Sequence, residues 1–71
     1  MDVHKTPVKH ILGEVYYNYY KYYMVIQDGN GRYALIDIRM GTIVIPWYET
    51  LEEMDKRRSS DIHLNAKLIV E

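Results

Sequence analysis

The chain contains no cysteine and no phenylalanine, and only two prolines and four glycines in 71 residues. Without thiols there is no disulfide to brace a small fold and no thiolate for a zinc site. A chain this short buries only about 60% of the surface its unfolded form exposes, and small domains commonly need a staple, a metal or a partner subunit. A well-packed core or self-association is left to supply stability. Long apolar runs are also missing. Tyr22 to Ile26 and Ile43 to Trp47 are the longest uncharged apolar stretches, far short of the roughly 20 residues that span a bilayer. The opening, Met1 to Pro7, has no apolar run of signal-peptide length. The expected setting is the cytoplasm, with no membrane partner.

Charge of one sign is lacking too. Nine Lys and Arg stand against ten Asp and Glu, a net charge of −1. That balance withholds the electrostatic footprint of a duplex-DNA binder. Hydrophobic residues at 48% and charged residues at 27% exclude intrinsic disorder and suit one ordinary globular domain over residues 1–71. Residues 1–9, with Pro7 and little pattern, read as a loose arm that firms up near His10.

Residues 14–27 are rich in tyrosine and β-branched side chains, which suit a pleated surface. Tyrosines fall on both parities, Tyr16, Tyr20 and Tyr22 against Tyr17, Tyr19 and Tyr23. A turn near Asn18 therefore splits the stretch into strands of about 11–17 and 20–27, or one strand bends sharply there. Asp28-Gly29-Asn30-Gly31 holds two hairpin-turn dipeptides. Residues 32–38 form the next strand. A three-residue loop, Arg39-Met40-Gly41, returns the chain into Thr42 to Trp47. That loop sets a register in which Leu35 faces Ile45 and Tyr33 faces Trp47 on the side meeting the helix, while Ile36 faces Val44 on the other. Pro46, which has no amide hydrogen to donate, marks a strand end or a sheet edge.

Thr50-Leu51-Glu52-Glu53 matches a capping box, with Thr50 capping the Glu53 amide and the Glu53 side chain reaching back to Thr50. A helix then runs to about Arg58. Only Leu51 and Met54 give it an apolar stripe, so it must be held by packing on the sheet. Residues 62–70 alternate, with Ile62 and Leu64 on a buried side and His63 on a wet one. The expected fold is α+β, an antiparallel sheet of four to five strands with one short helix on a face. An SH3-like small β-barrel is the alternative.

The stretches Tyr33-Ala-Leu-Ile-Asp-Ile, Gly41-Thr-Ile-Val and Tyr48-Glu-Thr-Leu-Glu-Glu together resemble small uncharacterised proteins of phages, prophages and plasmids from low-GC Gram-positive bacteria. The resemblance covers residues 32–54. It implies no activity and no functional residue.

Chemistry-bearing constellations are sparse. His4, His10 and His63 show no metal-ligand spacing and read as solvated imidazoles near strand ends. Asp28-Gly-Asn30-Gly-Arg32-Tyr33 starts like a calcium loop, then fails with Arg at the fifth position and Tyr at the sixth. Ser59 and Ser60 are the only serines, so nucleophilic catalysis has almost no material. Asp37, set among apolar residues, reads as a strand-end group bonding the turn beyond it. No enzyme, cofactor or metal is expected. Lys56-Arg57-Arg58 suits a solvated helix C-terminus.

The tyrosine run is the unusual feature. Tyr16, Tyr17, Tyr19, Tyr20, Tyr22 and Tyr23, with Lys21 among them, form the candidate interaction surface, because Tyr gives large contact area at low entropic cost. They cannot all fit inside so small a core. The expected function is a non-catalytic protein–protein interaction module, an accessory protein of a mobile element. It self-associates as a homo-oligomer or binds an unknown protein partner through this strand. The alternative is single-stranded nucleic-acid binding, with tyrosines stacking on bases and Lys21, Arg32, Lys56, Arg57 and Arg58 near the backbone. The near-neutral charge disfavours it.

Overall fold

Side-chain alternation along one central strand organises the molecule. In β2 (Lys21–Gln27) Tyr23 and Val25 are buried, while Tyr22, Met24 and Ile26 between them are not. Successive side chains of a strand point to opposite faces, so β2 presents a core face and an open face. The computed structural model describes residues 8–64. Around β2 it places β1 (Val15–Asn18), β3 (Tyr33–Asp37), β4 (Thr42–Tyr48), α1 (Leu51–Arg57) and β5 (Ile62–Leu64). The sheet order is β4-β3-β2-β1-β5, antiparallel throughout. The sheet is open, which excludes the barrel alternative. The helix packs across β3 and β4.

Tyr16, Tyr23, Val25, Leu35, Tyr48 and Met54 make the core, with Val8, Tyr33, Val44 and Leu51 packed around them. Full burial of a Val, Leu or Met side chain contributes about 1.5–3 kcal/mol relative to exposure. Met54 is the only helix residue fully buried. A single seven-residue helix anchored by so few apolar contacts needs its capping. Thr50 Oγ1 accepts from the Glu53 amide at 3.1 Å. The reciprocal arm differs from the capping box expected. The Glu53 carboxylate reaches past Thr50 and accepts from the Glu49 amide at 3.2 Å.

The β3–β4 register also departs from expectation. The loop has four residues, Ile38 to Met40 plus Gly41, rather than three. Its closure is a hydrogen bond that the Gly41 amide donates to the Asp37 carbonyl at 2.7 Å, and Gly41 has φ +70°. The Asp37 carboxylate explains the longer loop, since its Oδ1 accepts from the Arg39 and Met40 amides at 3.1 and 3.2 Å. One extra loop residue shifts β4 by one and exchanges its faces. Leu35 therefore faces Val44, and Ile36 faces Ile43. A bulge then lets Tyr48 pair with Tyr33, and it absorbs Pro46, which has no amide hydrogen for the ladder. β4 is an edge strand, as Pro46 requires.

β5 is turned over relative to its expected orientation. Ile62 is exposed, whereas His63 lies stacked on the buried Tyr16 ring, centroids 4.7 Å apart. The Tyr16 ring and the Glu14 carboxylate, 2.9 Å from His63 Nε2, give His63 partners on the inner face. The expected strand residues 65–70 and the arm residues 1–7 lie outside the described residues. Residues 8 and 9 are not loose: Val8 packs against the core and the Lys9 carbonyl accepts from the Tyr16 hydroxyl at 2.6 Å.

The register makes a direct prediction. Val44→Ala should lower unfolding stability by about 1–2 kcal/mol, and Ile45→Ala by no more than about 0.5 kcal/mol, both read from urea denaturation. The opposite ranking would restore the register shifted by one residue.

Candidate interaction surfaces and a buried ionic cluster

The tyrosine run divides among three environments. Tyr16 is fully buried and Tyr23 nearly so, and these two belong to the core. Tyr16 donates its hydroxyl hydrogen to the Lys9 carbonyl and accepts from the Ile11 amide at 2.9 Å. Burial pushes its phenol above the ordinary tyrosine range, against the lowering effect of that amide. Its ring lies between His10, centroids 4.5 Å apart, and His63. Tyr23 carries the Arg58 guanidinium over its ring at 5.1 Å.

Tyr17 and Tyr22 pair across β1 and β2 on the open face, with ring centroids 5.1 Å apart. Tyr19 and Tyr20 form the two-residue turn between those strands, closed by the Asn18–Lys21 pair. Two-residue hairpin turns of this kind need positive φ at both positions and are usually built from Asn-Gly. Here Tyr19 and Tyr20 adopt φ +49° and +64°. Each position costs about 1 kcal/mol or more for a side chain with a Cβ. Both rings project into solvent, 84% and 87% exposed. With Tyr17 and Asn18 they line an open depression at the sheet end. Lys21 is exposed beside them.

The open face is wider than the tyrosines. One row crosses all five strands: Ile43, Ile36, Met24, Val15 and Leu64 are successive register partners. A second row runs through Tyr22, Tyr17 and Ile62, with Ile38 bonded to the Tyr22 carbonyl through its amide. Ile26 adds a further partly exposed side chain opposite Ala34, which is itself fully buried. No charged residue falls on this face among the described strands. Tyr22, Ile43 and Ile62 are about half exposed, at 49%, 48% and 56%.

The other face holds a cluster that residue spacing does not reveal. The His10 side chain has no solvent exposure. Its Nδ1 lies 2.8 Å from Asp55 Oδ1, and its Nε2 lies 2.8 Å from Asp61 Oδ2. The His10 amide also donates to Asp55 Oδ1 at 2.7 Å. Both ring nitrogens of His10 therefore face carboxylate oxygens. Arg58 binds Asp61 through two bonds of 2.8 and 3.2 Å, and Asn18 donates to Asp61 at 2.7 Å. His10, Arg58 and Asn18 thus converge on the Asp61 carboxylate. His10 is therefore not the solvated imidazole expected. His63 bonds Glu14 at 2.9 Å.

Two of the basic residues expected at a nucleic-acid surface are engaged with carboxylates, Arg58 with Asp61 and Arg32 with Asp28. Arg32 sits at the far end of β2 from the tyrosine turn, paired with Asp28 at 3.0 Å and lying over Trp47. Asp28 also accepts from the Asn30 and Arg32 amides. Burial pushes its carboxyl up, but these bonds and the Arg32 guanidinium together outweigh it and hold the carboxyl below its ordinary value. The loop that resembled a calcium site is thus closed by its own hydrogen bonds. Among the described residues no three His, Asp or Glu side chains are grouped as metal ligands. No described helix is long and apolar enough to cross a membrane. Comparison with protein-family models, with curated proteins and with solved structures finds no match.

The ionic cluster predicts an acid sensitivity. Burial pushes the Asp61 carboxyl up, but hydrogen bonds from His10, Arg58 and Asn18 outweigh burial and hold it below its ordinary value. A carboxylate depressed in the folded state contributes its stability in full above the unfolded-state pKa of about 3.9. It loses that contribution as pH falls through the lower folded value. The part of the urea midpoint that Asp61 supplies, read as the difference from Asp61→Asn, should therefore be constant above about pH 4 and shrink below it. Asp61→Asn should be destabilised by about 3–5 kcal/mol at neutral pH, with a smaller further loss on acidification.

Proposed function

We propose that this protein is a non-catalytic interaction module whose partner-binding element is the tyrosine hairpin. Tyr17, Tyr19, Tyr20 and Tyr22 supply the contact area, and Lys21 flanks it. The resemblance over residues 32–54 suggests an accessory protein of a mobile element as the setting. The observation that carries this reading is the turn itself. Two consecutive tyrosines occupy positive-φ positions where Asn-Gly folds more readily, and both rings stand in solvent. Neither ring helps the core, and the backbone is strained to present them. Exposed aromatic rings on a short, stiff hairpin are suited to filling pockets on a protein partner.

A protein partner is favoured over a nucleic acid by the distribution of charge. Base-stacking surfaces place aromatic rings beside a continuous basic track. Here Arg32 is remote from the turn and Arg58 is committed to Asp61.

The test is the double substitution Tyr19→Asn, Tyr20→Gly, which supplies the residues the turn geometry prefers. Unfolding stability should rise by about 1–2 kcal/mol. Because the fold is strengthened, any lost binding cannot come from unfolding. A partner co-purified from native cells with the parent protein should be absent with the variant. Equal recovery with both proteins, or no partner with the parent, would contradict the proposal. Salt-sensitive binding of a labelled single-stranded oligonucleotide that the variant abolishes would transfer the role to nucleic acid.

A further inference from the structure

We infer that the open apolar face of the sheet is a homodimer interface, on which a second copy of this chain stacks face to face over Met24. Met24 is the midpoint of β2, and β2 is the middle strand of the sheet. The apolar row through it reaches both edge strands, ending in Ile43 and Leu64. The opposite face is already filled by α1 and the core, so this is the sheet surface still without a cover among the described residues.

Three properties of the surface select a second copy as the occupant. The first is charge. A face with no charged side chain can meet its own image without bringing like charges together, as a two-fold dimer requires. The second is area. Five strands at about 4.8 Å spacing, crossed by one complete and two partial rows of side chains, span at most about 25 by 20 Å, roughly 500 Å² in projection. Two such faces reach the roughly 1,000 Å² total that separates specific interfaces from incidental ones. The third is need. The core among the described residues lies on one face of the sheet, and pairing two sheets about 10 Å apart completes a sandwich. A two-fold axis lying in the interface above Met24 sets that side chain against its own copy. An unbranched, flexible thioether suits such a self-contact. This surface shares Tyr17 and Tyr22 with the hairpin, but Met24 and Ile36 belong to it alone. In the dimer Tyr19 and Tyr20 are the hairpin rings left for a partner, and substitutions at Met24 and Ile36 test the dimer apart from the hairpin's role.

The experiment is sedimentation of the full chain across a wide concentration range. It is paired with isotope-filtered NOE spectra of a mixed labelled and unlabelled sample. The expected result is a reversible monomer–dimer equilibrium, with intermolecular NOEs from the Met24 and Ile36 methyl groups. Met24→Lys should weaken dimerisation at least about 100-fold, since an unpaired charge would be buried, while far-UV circular dichroism stays unchanged. Should that variant misfold, Ile62→Lys at the half-exposed margin provides the same readout, a weaker dimer with an intact fold. A monomer at millimolar concentration would overturn the inference. So would intramolecular NOEs from Met24 to residues 65–71, which would make the chain's own terminal segment the cover. A dimer unaffected by Met24→Lys, or polydisperse aggregation without a defined dimer, would also overturn it.

Discussion

The His10 imidazole, clamped between Asp55 and Asp61, is the interaction on which the arrangement of the elements depends. Asp55 belongs to the helix and Asp61 to the turn entering β5. His10 precedes β1, and Asn18, which also bonds Asp61, ends it. Four separate stretches of chain are thus joined through one side chain and the carboxylates it meets. The apolar packing beneath the helix is modest, with Met54 its one fully buried member, so apolar burial alone gives α1 little to fix its position. Burying charges is costly unless each is paired and hydrogen-bonded. This cluster meets that condition. His10 uses both ring nitrogens, and Asp61 accepts from His10, Arg58 and Asn18. Such a network favours one packing of helix on sheet over its neighbours, because any slip leaves a buried charge unpartnered.

The parts of this fold legible in the sequence are the ones decided within a few residues. Gly31 and Gly41 adopt the positive φ that their turns require, and Thr50 caps the helix it precedes. The division of the tyrosine run into two strands followed from rings on both parities, and the turn falls immediately after Asn18. What escaped was decided by side-chain bonds at longer range or by strain. The β3–β4 loop gained a residue because the Asp37 carboxylate could hold two amides. That bond was foreseen, but its effect on loop length was not. β5 turned over because His63 stacks on Tyr16, a partner 47 positions earlier that the alternation of Ile62 and Leu64 could not reveal. The positive φ at Tyr19 and Tyr20 is carried by residues that rarely adopt it, so composition gave no sign. His10 lies 45 and 51 residues from its carboxylates, and no spacing rule reaches so far.

The candidate surface was legible in kind more than in membership. Too many tyrosines for the core implied that some must face outward, and Tyr17, Tyr19, Tyr20 and Tyr22 do. Tyr16 and Tyr23 instead anchor the inner face. Tyr16 is held there by the same cluster, with the His10 ring against it and its hydroxyl bonded to the Lys9 carbonyl. The ionic cluster and the exposed rings are linked through this division. By fixing Tyr16 inward, the cluster sets the parity of β1. That parity turns Tyr17 outward and brings the chain into the turn that displays Tyr19 and Tyr20.

The most direct measurement of this account is a double-mutant cycle between His10 and Asp61, using His10→Gln, Asp61→Asn and the pair, each followed by urea denaturation at neutral pH. If the clamp holds the elements together, the two single losses will each be large. The double variant will then lose far less than their sum, giving a coupling of about 1.5 kcal/mol or more. Losses that add to within about 0.5 kcal/mol would show that His10 and Asp61 act independently, and the cluster would not be what fixes the helix on the sheet.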